Sequence, residues 1–379
     1  MSEEVIDLRG EDWDIWQRLL PDGWQEKARE SGAIRRFREF ADTSTLLRVL
    51  FIHLLEGCSL RATSVYAREG GLADVSAVAL FKRLRLCGEW FRWMGEGVVK
   101  KWLAPDSQCL LSQSGWRVRV VDGSTVSEPG ASRANWRIHY AMHLPSLRCD
   151  EVHVTDTSVG ESLQRFQIAE GDLILADRLY ATRNGIRHVC THGGAVLIRM
   201  NLTNLPLCNA MGKPIRILTL LRTVRLGRPT EWPVWLHDKQ QSGAPIAGRL
   251  CAIKKTHTAA EKERAKVRRE ASKKGHQVQP ETLEACAYTF VFTTLPARVP
   301  AAVAVDFYRG RWQIELAFKR YKSLLNLGHL KKVDAQGAIA WLQGKLLVAI
   351  LNEAMLDQAE RISPWGYPMD RKSAALHLE

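Results

Sequence analysis

The chain has 379 residues, 46% of them hydrophobic, enough for two or three domains with real cores. A formal net charge of +13 points to a polyanionic partner, nucleic acid or an anionic membrane surface, and charge alone leaves both open. The eight cysteines are scattered, with no CxxC pair and no His/Cys cluster at zinc-ligand spacing, which argues against a disulfide scaffold or a zinc site.

The N-terminal stretch MSEEVIDLRGEDWD is acidic and lacks the basic start and apolar core of a signal peptide, so an intracellular, cytoplasmic protein is expected. Residues 1–110 read as an all-helical domain. TSTLLRVLFIHLLEG carries apolar residues at helical spacing, from a Thr/Ser start to a terminating Gly57. SLRATSVYAREGG and VSAVALFKRLRLCGEWFRWM supply two further helices of a helix-turn-helix-like bundle. Lys82, Arg83, Arg85 and Arg92 on the last either meet phosphates or form the solvated basic face of a packing helix.

From about residue 115 the texture changes to strands. WRVRVVDGST is expected to end a strand at Asp122; WRIHYAMHL and DEVHVTDTS follow; DLILADRLY ends a short apolar strand at Asp177. A helix over about 182–192 leads to a fifth strand, AVLIRMN, and a short helix is possible near 160–168. His139 and His143 fall in strand and turn and do not read as a metal pair. Each aspartate closes an apolar strand, where α/β sheets expose functional side chains; turns use Asp there too.

Residues 203–293 interrupt this order with strand candidates PIRILTLLRTVRL, WPVWLH and YTFVFTTL, plus the charged segment Lys254 to Gln277. That segment reads as a solvated helix whose basic excess could also lie along DNA. YRGRWQIELAFKRYK, residues 308–322, sets one acid among basic side chains. On a single helix Tyr308, Arg311, Glu315 and Lys322 share an arc, beside a buried arc of Ile314, Phe318, Tyr321 and Leu325. Glu315 is then either the ion-pair partner of Arg311 or the holder of a cation in a partly desolvated position. Ala338 to Leu356 is apolar but broken by Gln343, Lys345, Asn352 and Glu353, so a buried helix is expected rather than a membrane span.

The spacing Tyr308-x2-Arg311-x3-Glu315-x6-Lys322, with the words VVDGSTVSEPG, NWRIHYAMHL, LADRLYATRNG and YRGRWQIELAFK in that order, resembles the bacterial insertion-sequence transposases of the DDE type that carry a Y-R-E-K signature. The resemblance implies an α/β, ribonuclease H-like core with a β-rich insertion behind a helical DNA-binding domain. The corresponding segments are 1–110, 111–202, 203–293 and a core completion with C-terminal helices over 294–379. It assigns catalysis and metal binding to Asp122, Asp177 and Glu315, and DNA contacts to Tyr308, Arg311 and Lys322. It also implies two Mg2+ or Mn2+ ions per site, double-stranded DNA as partner and a homodimer in the end complex. The expected reaction is cleavage at terminal inverted repeats and transfer of the 3′-hydroxyl ends to target DNA. The alternatives are a structure-specific nuclease on the same core and a DNA-binding derivative that no longer cuts.

Overall fold

The computed structural model describes residues 12–55, 57–103, 115–144, 146–237, 244–324, 327, 330 and 334–362. The first eleven residues of the acidic N-terminal stretch, Cys109 and Leu325 lie outside them. Six helices open the chain: α1 (Asp12–Leu19), α2 (Trp24–Glu30), α3 (Thr43–Leu55), α4 (Leu60–Glu69), α5 (Ala77–Leu86) and α6 (Gly88–Val98). Hydroxyl and carboxylate caps set their starts: Asp42 accepts from the Thr45 amide at 2.7 Å, Ser59 from Ala62 at 3.1 Å and Ser76 from Ala79 at 3.2 Å. The long helix expected over residues 75–94 is two helices. The chain turns at Cys87, and Gly88 then lies against the backbone of Ala340, where a Cβ would sit 3.4 Å from the Ala340 Cα.

The sheet follows. Its strands are β1 (Arg117–Val126), β2 (Trp136–His143), β3 (Arg148–Asp156), β4 (Asp172–Ala176), β5 (Ala195–Arg199), β6 (Thr230–Leu236), β7 (Ile246–Lys254) and β8 (Tyr288–Thr293). Helices α7 (Arg183–Thr191), α8 (Ile217–Leu221), α9 (His257–Lys273) and α10 (Pro280–Ala285) lie between them, and α11 (Ala301–Arg309), α12 (Gln313–Leu324) and α13 (Ala335–Ile362) close the chain. All eight strands form one sheet in the order β3-β2-β1-β4-β5-β8-β7-β6. β1, β4 and β5 are mutually parallel neighbours; every other pairing is antiparallel. The strands of the inserted region therefore extend the sheet through β8.

Several elements differ from expectation. PIRILTLLRTVRL forms the short helix α8 in place of a strand, because Ile217 and Leu221, one helical turn apart, share a buried face. β7, IAGRLCAIK, was not expected at all. β1 runs on to Val126 rather than stopping at Asp122. Residues 308–322 are not one helix: a 3-10 turn over Gly310–Trp312 separates α11 from α12. That turn passes so close to β2 that a Cβ on Gly310 would lie 2.7 Å from Leu144 Cδ2.

Strand alternation divides the apolar residues between the two faces of the sheet. Val118, Val120, Leu173, Leu175 and Leu197 join the N-terminal helices and α11 to α13 in one core. Val121, Ile174, Ala176, Val196 and Ile198 face α7, α8 and the inserted strands in the other. Of the described helices, α13 alone is long and apolar enough to cross a membrane, and 72% of that stretch is buried inside the protein. It packs into the N-terminal bundle as a core helix.

In β7, a Cβ on Gly248 would stand 2.5 Å from the Phe292 ring and 2.8 Å from the Thr293 carbonyl oxygen. Gly248→Ala is expected to destabilise the protein by about 1–3 kcal/mol through overpacking. Urea unfolding measures this, and an unchanged midpoint would show that the ring is not seated on the glycine.

Candidate active site

The parallel ladder of β1 with β4 ends at the pair Val121↔Ala176. The next residue on each strand, Asp122 and Asp177, therefore lies level with the other just beyond the last paired residues. Side chains alternate along a strand, and Val121 and Ala176 belong to the α7 side, so both aspartates turn to the side covered by α12. Asp122 remains held by β2 opposite Tyr140, whereas Asp177 leads directly into a 3-10 turn over Arg178–Tyr180.

α12 is fixed over this edge by a chain of polar contacts within an apolar setting. Ile314, Ala317, Phe318 and Tyr321 are buried on the sheet. The Tyr140 and Tyr321 hydroxyls are 2.7 Å apart, Tyr321 donates to the Glu353 carboxylate on α13, and Glu353 accepts the Cys149 amide at 3.0 Å. Burial raises the pKa of Glu353, and the bonds from Tyr321 and Cys149 work against that rise. The residue opposite Asp122 on the sheet and a residue on the Glu315 helix thus meet in one buried hydrogen-bond chain.

Arg311, in the turn before α12, lies between the acids. Its Nη1 is 3.5 Å from Asp122 Oδ2, and its Nη2 donates to Glu315 Oε1. The arginine side chain is 13% exposed, Asp122 19% and Glu315 53%, so the desolvated acid is Asp122, and Glu315 is not the partly buried residue that helical periodicity suggested. Burial pushes the pKa of Asp122 up to about 6; the Gly123 amide, 2.8 Å from Oδ1, and Arg311 oppose this, while Glu161 and Asp177 add repulsion. Glu161 had no signal in the sequence. It sits in the irregular β3–β4 connection, 14% exposed, with its carboxylate 3.7 Å from the Arg137 guanidinium.

The predicted DNA contacts have different settings. Lys322 is half-buried, two turns along α12 from Glu315, and has no ion-pair partner among the described residues. Tyr308 ends α11 with its hydroxyl buried and unbonded among the described residues, and its ring is 5.9 Å from the Arg311 guanidinium. Of the basic residues on α5 and α6, Arg85 pairs with Asp334, Arg92 with Glu89 and Glu96, and Arg83 donates to the Ala33 carbonyl. Lys82 instead lines a groove with Arg35, Arg36 and Arg38.

Among the described residues no three His, Cys, Asp or Glu side chains are gathered as a ready metal cage. Between Asp122 and Glu315 the reason is Arg311. The donor set nevertheless fits a hard divalent cation, since it offers only carboxylate oxygens and Asp122 is short of compensating positive charge.

Residues 117–351 match the Transposase DDE domain family, a span that holds both aspartates, Arg311 and Glu315. The chain belongs to this family of DDE transposases. The transposase is 32% identical over 371 residues to the transposase for insertion sequence element IS421 of Escherichia coli, covering 95% of this chain and 99% of that one. It is equally similar, 32% over 370 residues, to InsL of Escherichia coli strain K12, named as a transposase for insertion sequence element IS186A, with the same coverage. A solved piggyBac transposase synaptic complex with hairpin DNA overlaps 93% of this chain and 74% of its own at a TM-score of 0.47 and 9% identity, too distant to add to the assignment.

Asp122 loses its proton near pH 6 in the folded chain against 3.8 ordinarily, so folding is penalised increasingly as pH rises from 4 through 6. The penalty is on the order of 2–3 kcal/mol above that range. Asp122→Asn is therefore expected to stabilise the metal-free transposase at pH 8 and to change little at pH 4–5. Urea unfolding in EDTA at the two pH values tests this; a variant less stable than wild type at pH 8 would contradict it.

Proposed function

We propose that this transposase binds the terminal inverted repeats of its own element, cleaves the end phosphodiesters and transfers the 3′-hydroxyl ends to target DNA, acting as a homodimer in the end complex. The observation that carries the reading is Arg311, which ties Asp122 on the sheet to Glu315 on α12. The order β3-β2-β1-β4-β5, with β2 alone reversed, supports a ribonuclease H-like core for residues 111–202 and 294–379, extended by the insertion 203–293. Residues 1–110 would then form the DNA-binding unit, with the groove of Lys82, Arg35, Arg36 and Arg38 as its basic face.

Asp122, Asp177 and Glu315 would hold two Mg2+ or Mn2+ ions. Bound there, the ions would supply Lewis acidity that activates water or a 3′-hydroxyl and stabilises the leaving oxygen. Arg311 does two jobs in turn. In the DNA-free protein it neutralises Asp122 and Glu315, which would otherwise repel across the edge. When an end phosphate arrives, the guanidinium's planar donors suit that anion as well as they suit a carboxylate. Its transfer to phosphate frees both acids for the metal. Lys322, unpaired on the same helix, would hold the neighbouring backbone. Tyr308, buried beneath Arg311, would set the height of the guanidinium and reach DNA only if α11 shifts.

Glu315→Gln should bind element ends like wild type and lose nicking by ~10³, the rate equivalent of several kcal/mol of metal-borne stabilisation. Arg311→Ala should weaken end binding by about 10-fold or more, as expected for a charge-assisted contact of about 1.5–3 kcal/mol. It should at the same time tighten Mn2+ binding to the DNA-free protein. Gel shifts, nicking assays and Mn2+ titrations read the three outcomes. Near wild-type nicking by Glu315→Gln would reduce Glu315 to the salt-bridge partner of Arg311 and end this reading.

A further inference from the structure

Glu161 has no role in the chemistry described above, yet its position is closely specified. A Cβ built on Gly123 would stand 2.6 Å from Glu161 Oε1, so the carboxylate fills the space left by the absent side chain next to Asp122. Side-chain alternation aims that space away from the Asp122 side, which places Glu161 against the acidic edge from the opposite face. Asp177 raises the pKa of Glu161, and Glu161 raises that of Asp122, so the three acids share one electrostatic neighbourhood. Arg137, at 3.7 Å, is the cation nearest to Glu161, and it also donates to the Val159 carbonyl.

A second observation comes from Tyr180, at the end of the turn that begins after Asp177. Its side chain is fully buried, and its hydroxyl has no hydrogen-bond partner among the described residues. Burial raises its pKa, with Glu161 and Asp122 as the next contributions, so the phenol stands within reach of both acids. A buried hydroxyl left unbonded costs on the order of 1–3 kcal/mol, and a hydrated cation at this edge would bring water to satisfy it.

We propose that Glu161 is a positioning carboxylate of the metal site, which holds a divalent ion through the ion's own waters with the Tyr180 hydroxyl as a second anchor. Mg2+ keeps several waters and takes only one or two carboxylates directly, so Asp122 and Asp177 bind it and Glu161 and Tyr180 orient its hydration shell. The role matters most before DNA binds, while Arg311 still occupies Glu315. The inference rests on the metal-dependent reading of Asp122 and Asp177 given above.

The test is Mn2+ binding to the DNA-free protein, followed by electron paramagnetic resonance of the free ion and by calorimetry. Glu161→Gln should weaken binding by about 10-fold or more, the usual loss when such a supporting group is removed. Tyr180→Phe should weaken it by a smaller but measurable factor. Asp306→Asn, an exposed acid paired with Arg309, serves as a control for simple loss of charge and should leave binding unchanged. Unchanged affinity in Glu161→Gln, or an equal loss in Asp306→Asn, overturns the proposal. If Glu161→Gln does not fold, Tyr180→Phe decides: wild-type affinity in that variant overturns the proposal. Asp122→Asn separates the two levels. Wild-type affinity there defeats the metal reading itself, while loss there beside unchanged Glu161→Gln defeats only this inference.

Discussion

Like charges gathered at the edge of a sheet, half out of water, need a counter-charge, and in this protein the guanidinium of Arg311 supplies it. The register of β1 on β4 makes Asp122 and Asp177 neighbours, and the position of α12 brings Glu315 to the same side. Without Arg311 the acid pushed up to about pH 6 would be costlier still. A single buried cation therefore lets the fold keep an acidic edge without a metal ion. The same cation is a phosphate ligand by its chemistry, which links protein stability to the arrival of DNA.

The edge also has to be rigid, and the polar chain Tyr140, Tyr321, Glu353 supplies that rigidity. It ties β2, α12 and α13 together through groups buried in an otherwise apolar layer. Such a network is costly when partly satisfied and specifying when complete. Here Tyr140 sits opposite Asp122, and Tyr321 lies on the Glu315 helix, so the chain fixes the separation of the acids from behind. α13 then carries that constraint into the N-terminal bundle, where Gly88 and Gly344 allow its backbone to approach closely; a Cβ on Gly344 would stand 2.6 Å from Leu54 Cδ1.

Much of this was legible in the sequence. The five strands over residues 117–199 announced themselves by apolar runs between turn residues, and Asp177 closed its strand as read. The misreadings have physical reasons. β7 hides because Gly248 and small alanines give it little β-propensity, and the Phe292 ring lying over Gly248 is a tertiary contact. PIRILTLL is apolar enough for a strand, and only packing decides that it coils. The single helix drawn through Tyr308 to Lys322 ignored Gly310, whose turn must clear Leu144; the shift of phase left Tyr308 buried and Glu315 exposed. Of the acids, Asp122, Asp177 and Glu315 stood in recognisable words. Glu161 did not, because its neighbourhood is made by the β3–β4 connection folding back on Gly123, a contact no local pattern encodes.

The central claim is that Arg311 gives way to metal when an end phosphate takes it. Fe2+ replacing Mg2+ generates hydroxyl radicals that cut the polypeptide beside the ion, so the cleavage map measures this directly. Without DNA the account predicts cuts near residues 122 and 177 and little near 315. With element-end DNA a strong new cut near 315 should appear. In Arg311→Ala the cut near 315 should already be present without DNA. The same map with and without end DNA in the wild-type protein, or cuts that avoid residues 122 and 177, would contradict the account.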